Sequence, residues 1–301
     1  MQNKVIIDSI LFAMITVIII VLGSFLPFVG ILAPLPLVIL AVRKGSKSSI
    51  ISSLFVALIL AALVNPLTSL IFIFTIGFIG VAMGAAFEEE FSSKVIILVG
   101  TLSSFLSLII ILVLFTYSLD IDIIYEFKEV LQSSSGIYQE LGLPEEYSIH
   151  ADEIITQIIN FLKVTYPSFF MCAAIVNSVI NYYFSSLILN RLGYKYKLQF
   201  SFRKLRFSKF LAIIYILSII FLENIIGENV FIVLTFLLFI EGLSVIYYLF
   251  SFKNNRTSGM LFIIVSITFL FIPIVNVFIS LIILLIGFLD IWIDFRKLHK
   301  S

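Results

Sequence analysis

The sequence predicts an all-α fold, a polytopic transmembrane helical bundle of about ten spans, within a range of about eight to ten. Hydrophobic residues make up 61% of the 301 residues, charged residues make up only 12%, and the apolar residues form blocks long enough to cross a bilayer. Soluble globular proteins average about 45–50% apolar and about 25% charged residues. We therefore expect a multi-pass integral protein of the cell membrane, with the lipid bilayer as its surroundings.

Each predicted span is an apolar block that ends at charge, proline or glycine, because about 20 apolar residues cross a hydrocarbon core of about 30 Å. Asn65-Pro66 separates two spans, since proline removes a hydrogen-bond donor and disfavours helix in the preceding residue. The last block, 259–293, is too long for one crossing and is divided near Pro273. The predicted spans are 5–24, 28–42, 48–64, 67–87, 94–117, 160–189, 209–222, 229–251 and the two parts of 259–293.

The charges predict the orientation of the bundle. Lysine and arginine concentrate in the turn at 43–47, in the loop at 190–209 and near the C-terminus, whereas 118–153 carries nine acids and only Lys128 as a fixed positive charge. Basic residues beside spans are retained in the cytoplasm. Both termini are therefore expected to be cytoplasmic.

The same pattern predicts three parts: a five-helix N-terminal membrane half at 1–117, an extracytoplasmic amphipathic helical segment at 118–153, and a C-terminal membrane half at 154–301 with the basic cytoplasmic loop 190–209. Within 118–153 we predict one helix with an apolar face, breaks at 133–136 and 142–144, and a second helix that starts near Pro144 and continues into the sixth span. The segment is either a cap over a binding cavity or a connector on the membrane surface. The predicted apolar face consists of Ile121, Ile124, Phe127 and Leu131.

Glu241 lies in the middle of the eighth predicted span. An ionisable group inside a membrane is costly and by default indicates a functional site. Glu241 could bind a cationic or hydrogen-bonding substrate, carry a proton, or pair with a lysine or arginine from elsewhere. It could also be a structural hydrogen-bonding group. Gly242 beside it would allow a helix or a ligand to approach closely.

Three asparagines are the other candidate substrate-binding residues. Asn177 and Asn181 are four residues apart in the sixth span and so share a helical face, and Asn276 lies in the last apolar block. Such amides can line a polar cavity, but they also form interhelical hydrogen bonds. Small residues at spacings of three and four predict close helix packing instead of a ligand site. These small residues are Gly77, Gly80 and Gly84 in the fourth span and Ala57 and Ala61 in the third.

Several classes of function are not expected. The chain has no phosphate-binding glycine loop, no His-Glu-x-x-His and no nucleophile elbow, so we do not expect an enzyme. Asp290 and Asp294, four residues apart, are interpreted as a solvated helix end. One cysteine and two histidines argue against a metal site or any other cofactor. A net charge of +1 argues against a nucleic-acid partner.

Two stretches resemble known families. Tyr166-Pro167, Asn181-Tyr182-Tyr183 and Asn190-Arg191-Leu192-Gly193-Tyr194, followed by the basic loop, resemble the YybS-like bacterial integral membrane proteins over most of the chain. Residues 1–117, with Pro34-Leu35-Pro36, are similar in layout to the substrate-capture (S) subunits of energy-coupling-factor transporters. The second resemblance implies a small-molecule ligand, a separate transporter coupling subunit and ATPases.

Three functions follow from these observations as hypotheses. The first is small-molecule capture or transport, as the S subunits perform. The second is a non-transport membrane scaffold or envelope- or division-associated protein, favoured by the acidic 118–153 segment and the basic loop. The third is a membrane enzyme acting on lipid-linked substrates, for which only weak acidic clusters are available. Capture or transport is the first choice, and the ligand cannot be named from the residues.

Overall fold

The computed structural model describes residues 2–118, 122–140, 145–194, 196, 202–254 and 273–296. Every regular element in this part of the chain is a helix, and no strand occurs there. The all-α prediction is therefore confirmed. The chain divides into two compact units, Met1–Tyr166 with Phe170–Leu198 and Pro167–Phe169 with Gln199–Ser301.

The first unit contains the N-terminal helices and most of one very long helix. Its chain order is α1 Gln2–Phe25, α2 Pro27–Gly30, α3 Leu35–Lys44, α4 Ser46–Leu63, α5 Pro66–Phe72, a π-helical turn Ile73–Gly77, α6 Phe78–Glu88, α7 Ser93–Ser118, α8 Ile123–Glu140 and α9 Glu145–Arg191. Three residues of α9, Pro167–Phe169, are assigned to the second unit. The described remainder of the second unit consists of a 3-10 turn Phe202–Lys204, α10 Lys209–Ile220, α11 Ile225–Asn254 and α12 Pro273–Ile293.

Seven helical stretches in the described part of the chain are long and apolar enough to cross a membrane. They coincide with the first six predicted spans and the eighth, whereas Lys209–Ile220 and Val277–Ile293 are apolar but shorter. The division of the last block near Pro273 agrees with the start of α12 at that residue. Proline suits the first position of a helix because the N–H that it lacks would have no intrahelical partner there. Residues 259–272 lie outside the described residues. The seven stretches are Val5–Phe25, Pro27–Lys44, Ser46–Leu63, Pro66–Glu88, Ser93–Tyr117, Ala151–Arg191 and Ile225–Phe250.

The break at Asn65-Pro66 is confirmed, and its cause is a cap. Asn65 has an extended backbone and its Oδ1 accepts the Thr68 main-chain N–H at 2.7 Å, while Pro66 occupies the first helical position of α5. An asparagine cap satisfies one of the amides that a helix start leaves without a partner. The chain therefore ends α4 and begins α5 at this point.

The turn between α3 and α4 is held by a carboxylate from α6. Gly45 has a φ of 91°, which favours glycine, and the main-chain N–H of Ser46 donates to Glu88 Oε2 at 2.7 Å. The Ser46 hydroxyl donates to the same oxygen. A carboxylate at a helix N-terminus also interacts favourably with the helix dipole. The basic turn at 43–47 and Glu88 thus lie together in the first unit.

The helices around the predicted 118–153 segment differ in part from expectation. The predicted break at 133–136 is wrong, since α8 continues through it to Glu140. One glycine in a helix costs only about 1 kcal/mol, which neighbouring turns can offset. The predicted continuation into the sixth span is confirmed, because α9 runs for 47 residues and contains residues 153 and 154 within it. Residues 142–144 lie outside the described part, and the three-part division stays a prediction.

Small residues bring the helices of the first unit together, as predicted. A Cβ added to Gly80 would lie 2.8 Å from Leu37 Cβ, and one added to Gly84 would lie 2.6 Å from Ala41 Cβ. These distances leave no room for a side chain between α3 and α6. Ala57 belongs to the apolar core of this unit. The glycines of the fourth span therefore serve packing.

Glycines also set the contact between α11 and α12 in the second unit. A Cβ on Gly242 would lie 1.9 Å from the Ile283 carbonyl oxygen, and a Cβ on Gly287 would lie 2.1 Å from the Leu238 carbonyl oxygen. The sequence left open whether Gly242 admits a helix or a ligand. The structure places α12 there, and this close contact brings the residues near Glu241 against the middle of α12, around Ile283 and Gly287.

Candidate functional site

Uncharged polar side chains recur along α9 in the first unit. Spacings of three and four residues place Asn177, Ser178, Asn181 and Ser185 on one side of the helix, whereas Ser186 lies farther round it. All but the first are fully buried, and the first is half-buried. We call this set the polar seam: Asn177, Ser178, Asn181, Ser185 and Ser186.

Two residues of the polar seam bond to α7. Asn177 Nδ2 donates to Ser104 Oγ at 3.0 Å, and Ser178 Oγ donates to the Ile97 carbonyl oxygen at 2.6 Å. Such bonds between membrane helices contribute about 0.6–2 kcal/mol each. The interhelical role that the sequence left open for Asn177 is therefore present.

Asn181 bonds to a carbonyl in the interruption between α2 and α3. Pro34 has no N–H, and the Leu35 amide donates to Leu32 at 3.0 Å instead of to Ile31. Asn181 Nδ2 donates to the Ile31 carbonyl oxygen at 2.9 Å. Because an unsatisfied main-chain group in a membrane costs several kcal/mol, this bond stabilises the interruption. The same Nδ2 also donates to Asn177, at 2.9 Å from its Oδ1.

The polar seam keeps hydrogen-bonding capacity that no described residue uses. Asn181 Oδ1, Ser185 Oγ and Ser186 Oγ are buried and have no hydrogen-bond partner within the described part of the chain. Leaving a buried polar atom unsatisfied costs about 1–3 kcal/mol. The three atoms form a set of two hydroxyls and one amide oxygen on adjacent turns of a single helix.

The second unit contains a different kind of cluster, made of charged side chains. Arg296, just after α12, donates to Asp290 Oδ2 from Nε at 3.1 Å and from Nη2 at 2.7 Å. Its Nη2 lies 3.6 Å from Glu241 Oε1 on α11. All three side chains are fully buried. We call Glu241, Asp290 and Arg296 the buried triad.

The 3-10 turn and the three residues after it, together called the 202–207 segment, close over the buried triad. The Phe207 amide donates to Glu241 Oε2 at 3.1 Å. Arg296 Nη1 donates to the Arg203 carbonyl oxygen at 3.2 Å and to Ser244 Oγ at 2.7 Å. Ser244 Oγ in turn donates to the Phe202 carbonyl oxygen at 2.5 Å. Main-chain and hydroxyl groups thus surround charges that would be costly in apolar surroundings.

A second arginine binds the end of α12 from the same segment. Arg206 Nη2 donates to the carbonyl oxygens of Asp290 and Ile291 at 3.1 and 3.0 Å. Its Nη1 lies 3.0 Å from Asp294 Oδ1. The last carbonyls of a helix lack intrahelical partners and favour a positive charge. Arg206 and Arg296 therefore lock the 202–207 segment and the end of α12 to each other.

The structure brings some of the sequence-predicted candidates together. Asn177 and Asn181 are in contact within the first unit, whereas Glu241 belongs to the second unit. The Glu241 side chain accepts from the Phe207 amide, just before α10, and lies 3.6 Å from Arg296, which follows α12. The side chain of Asn276 lies outside the described part. Of the roles left open for Glu241, the structure contains the pairing with an arginine.

Sequence reasoning missed the partners of Glu241. Asp290 is fully buried, so its interpretation as part of a solvated helix end is wrong. The physical reason is that the chain after α12 turns back and places Arg296 over it. One signal was available, because a carboxylate in an apolar span requires a positive partner and Arg206 and Arg296 lie beside apolar spans.

Comparisons with known proteins agree on the class of molecule. The family described as "Predicted membrane protein (DUF2232)" matches residues 14–291. The chain is similar to "Uncharacterized protein YybS" of Bacillus subtilis (strain 168), at 25% identity over 254 residues that cover 79% of this chain and 80% of that protein. No solved structure matches. With several helices of membrane-spanning length, this is a multi-pass integral membrane protein. The chain belongs to the DUF2232 family of membrane proteins.

Proposed function

We propose that the protein captures a small, neutral, polar molecule in the membrane, as a capture or transport protein. One observation carries the proposal. In the polar seam, Asn181 Oδ1, Ser185 Oγ and Ser186 Oγ are fully buried on two successive turns of α9, and none of them has a hydrogen-bond partner in the described part of the chain. A bound molecule that offers hydrogen-bond donors and acceptors would recover the free energy that these atoms lose on burial.

The chemistry of the polar seam sets the class of ligand. Its side chains are amides and hydroxyls, which bind neutral groups without the desolvation cost of an ion. Asn181 Oδ1 accepts only, whereas the hydroxyls of Ser185 and Ser186 both donate and accept. The expected ligand therefore carries at least one hydroxyl, amine or amide donor.

We propose that both termini are cytoplasmic and that residues 118–153 are extracytoplasmic. The positive residues near the ends of the spans support this orientation. The bond between Ser46 and Glu88 supports placing the 43–47 turn and the end of α6 on one side. The count of about ten spans remains part of this proposal, because 259–272 lies outside the described residues.

We further propose that capture resembles that of energy-coupling-factor S subunits. This analogy predicts a separate coupling subunit with ATPases as partners, within the lipid bilayer, and no enzymatic activity of this chain. Mild purification from native membranes, with identification of every co-purifying protein, tests it. Recovery of a complex that contains ATPases would support the analogy, whereas a chain that purifies without partners would contradict it.

The capture proposal is tested by native mass spectrometry of protein purified from native membranes. The test variant is Ser185→Ala combined with Ser186→Ala, and the matched control is Thr16→Ala, whose buried hydroxyl already donates to the Phe12 carbonyl oxygen at 2.9 Å. We expect wild type and control to retain one small molecule and the double variant to lose it. Because no described residue bonds to the two hydroxyls, the double variant should fold normally. Equal occupancy in the double variant would refute the proposal.

A second candidate function, a membrane scaffold, is favoured by α8. This helix lies outside the seven membrane-length stretches, and it leaves Tyr125, Phe127 and Val130 exposed at 56%, 44% and 61%. Exposed apolar side chains outside a membrane mark interaction surfaces. If Tyr125→Ala with Val130→Ala abolished co-purification of a partner and left the bound small molecule in place, α8 would be a scaffold surface. Unchanged partner recovery would exclude that role.

A further inference from the structure

The buried triad of the second unit carries an unbalanced charge. Glu241 and Asp290 contribute two carboxylates, and Arg296 contributes one guanidinium. The three side chains have no exposed surface. A net negative charge that is fully buried is strongly unfavourable unless something neutralises it.

The neighbouring charges do not remove this imbalance. Arg206 on the 202–207 segment pairs with Asp294, and the Arg203 guanidinium lies 4.8 Å from the centre of the Tyr248 ring. Lys209 at the start of α10 lies 5.9 Å from the centre of the Trp292 ring. Counted by these ion pairs alone, three carboxylates, Glu241, Asp290 and Asp294, face two arginines, Arg206 and Arg296.

The hydrogen bonds show which carboxylate oxygens of the triad are available to a positive charge. Asp290 Oδ2 accepts two bonds from Arg296, and Glu241 Oε2 accepts one from the Phe207 amide. Glu241 Oε1 and Asp290 Oδ1 accept none in the described part of the chain, and both are buried. Two carboxylate oxygens without donors are thus available within one cluster.

We propose that the buried triad is a proton-binding site and that Glu241 carries the proton on Oε1. Protonation forms one O–H bond and changes the charge of the triad from −1 to zero. Glu241 takes the proton rather than Asp290 because Asp290 holds the two charge-assisted bonds of Arg296, which favour its ionised form. The proposal concerns the second unit and is independent of capture at the polar seam.

A metal cation fits the site less well than a proton. Hard cations need several oxygen ligands, about six for Mg²⁺ and six to eight for Ca²⁺. The triad offers two free carboxylate oxygens, one of them 3.6 Å from a guanidinium nitrogen. A proton needs one oxygen and converts Glu241 into a neutral acid, so no second cation is left beside the guanidinium. Proton binding would also make the attachment of the 202–207 segment depend on pH, because Glu241 accepts the hydrogen bond of the Phe207 amide.

Infrared difference spectroscopy of the full chain in lipid vesicles tests the proposal. We expect a carboxylic-acid carbonyl band that loses intensity on alkaline titration. The band should be absent from Glu241→Gln and present in Glu228→Gln, a matched control in the first turn of the same helix. Glutamine has the shape of a protonated glutamate, so Glu241→Gln should fold. A band that persists in Glu241→Gln would overturn the proposal.

The variant Asp290→Asn tests whether charge balance or burial alone keeps Glu241 protonated. This variant removes one negative charge, so Glu241 can ionise against Arg296 and its acid band should disappear although the glutamate remains. If burial alone kept Glu241 protonated, the band would persist in Asp290→Asn and the charge-balance argument would fail. A wild-type band that responds to sodium at constant pH would make the triad a cation site and would also overturn the proposal.

Discussion

Replacing Gly242 by alanine should force α11 and α12 apart. The added Cβ would lie 1.9 Å from the Ile283 carbonyl oxygen and 2.8 Å from its carbon. Contacts of a Cβ below 3.0 Å essentially never occur, so the helices must separate locally by about 1 Å. The obstructing atoms belong to the main chain, and no flexible side chain can move away to relieve them.

The magnitude follows from the cost of overpacking. Extra methyl groups in a filled core cost about 1–3 kcal/mol, and a main-chain obstruction places this variant near the upper end. Alanine regains about 0.8–1 kcal/mol of helix propensity over glycine. We therefore expect a net loss of about 1–2 kcal/mol in the free energy of unfolding. Arg296 follows α12 and lies 3.6 Å from Glu241 on α11, so this contact should weaken when the two helices separate.

The assay is thermal melting of the purified protein in lipid nanodiscs, followed by size-exclusion chromatography. Gly30→Ala is the matched control, because its Cβ would meet nothing closer than Gly23 Cα at 3.4 Å. The control should melt close to wild type and Gly242→Ala clearly below it. A Gly242→Ala protein that melts with wild type would show that α11 and α12 are not in contact at this glycine.

Three further predictions concern a cap, a phenol and the buried triad. Asn65→Ala should lower stability by about 0.5–2 kcal/mol in the melting assay, and Asn65→Asp should retain most of it, because the carboxylate can still cap the helix. Burial, with a smaller contribution from the Glu90 carboxylate, raises the pKa of Tyr196 above its usual 10.0. Its contribution to stability should therefore be constant below pH 10.0 and decline above it; alkaline unfolding curves of wild type and Tyr196→Phe should then converge. Arg296→Met should cost about 3–5 kcal/mol, and adding Asp290→Asn should restore part of that loss, whereas no restoration would contradict their pairing.

Much of the fold could be predicted because membrane thickness limits helix length. Seven predicted spans correspond to helices of membrane-spanning length. The break at Asn65-Pro66 was predictable because it depends on two adjacent residues, a capping asparagine and a proline at the first helical position. The glycines at 80 and 84 also predicted close helix contacts, whereas for Gly242 the sequence left a helix and a ligand as alternatives. The continuation of α8 through 133–136 could not be predicted, because its small and polar residues are weak helix breakers whose effect depends on neighbouring turns.

The candidate site was predictable only where its contacts are local. The four-residue spacing of Asn177 and Asn181 places them on one face, and they do contact each other. Their other partners come from distant parts of the chain, such as Ile31, which is 150 residues from Asn181. Arg296 covers Asp290 only because the chain reverses after α12. Apolar spans give little information about which helices are neighbours, so such partners depend on tertiary structure.

The most direct test of capture is an experimental density map of the protein in its native lipid, at a resolution that shows ordered small molecules. We expect density that no protein atom explains, within hydrogen-bonding distance of Asn181 Oδ1 and of the hydroxyls of Ser185 and Ser186. A map in which these atoms bond to protein groups, with no further density beside them, would contradict it.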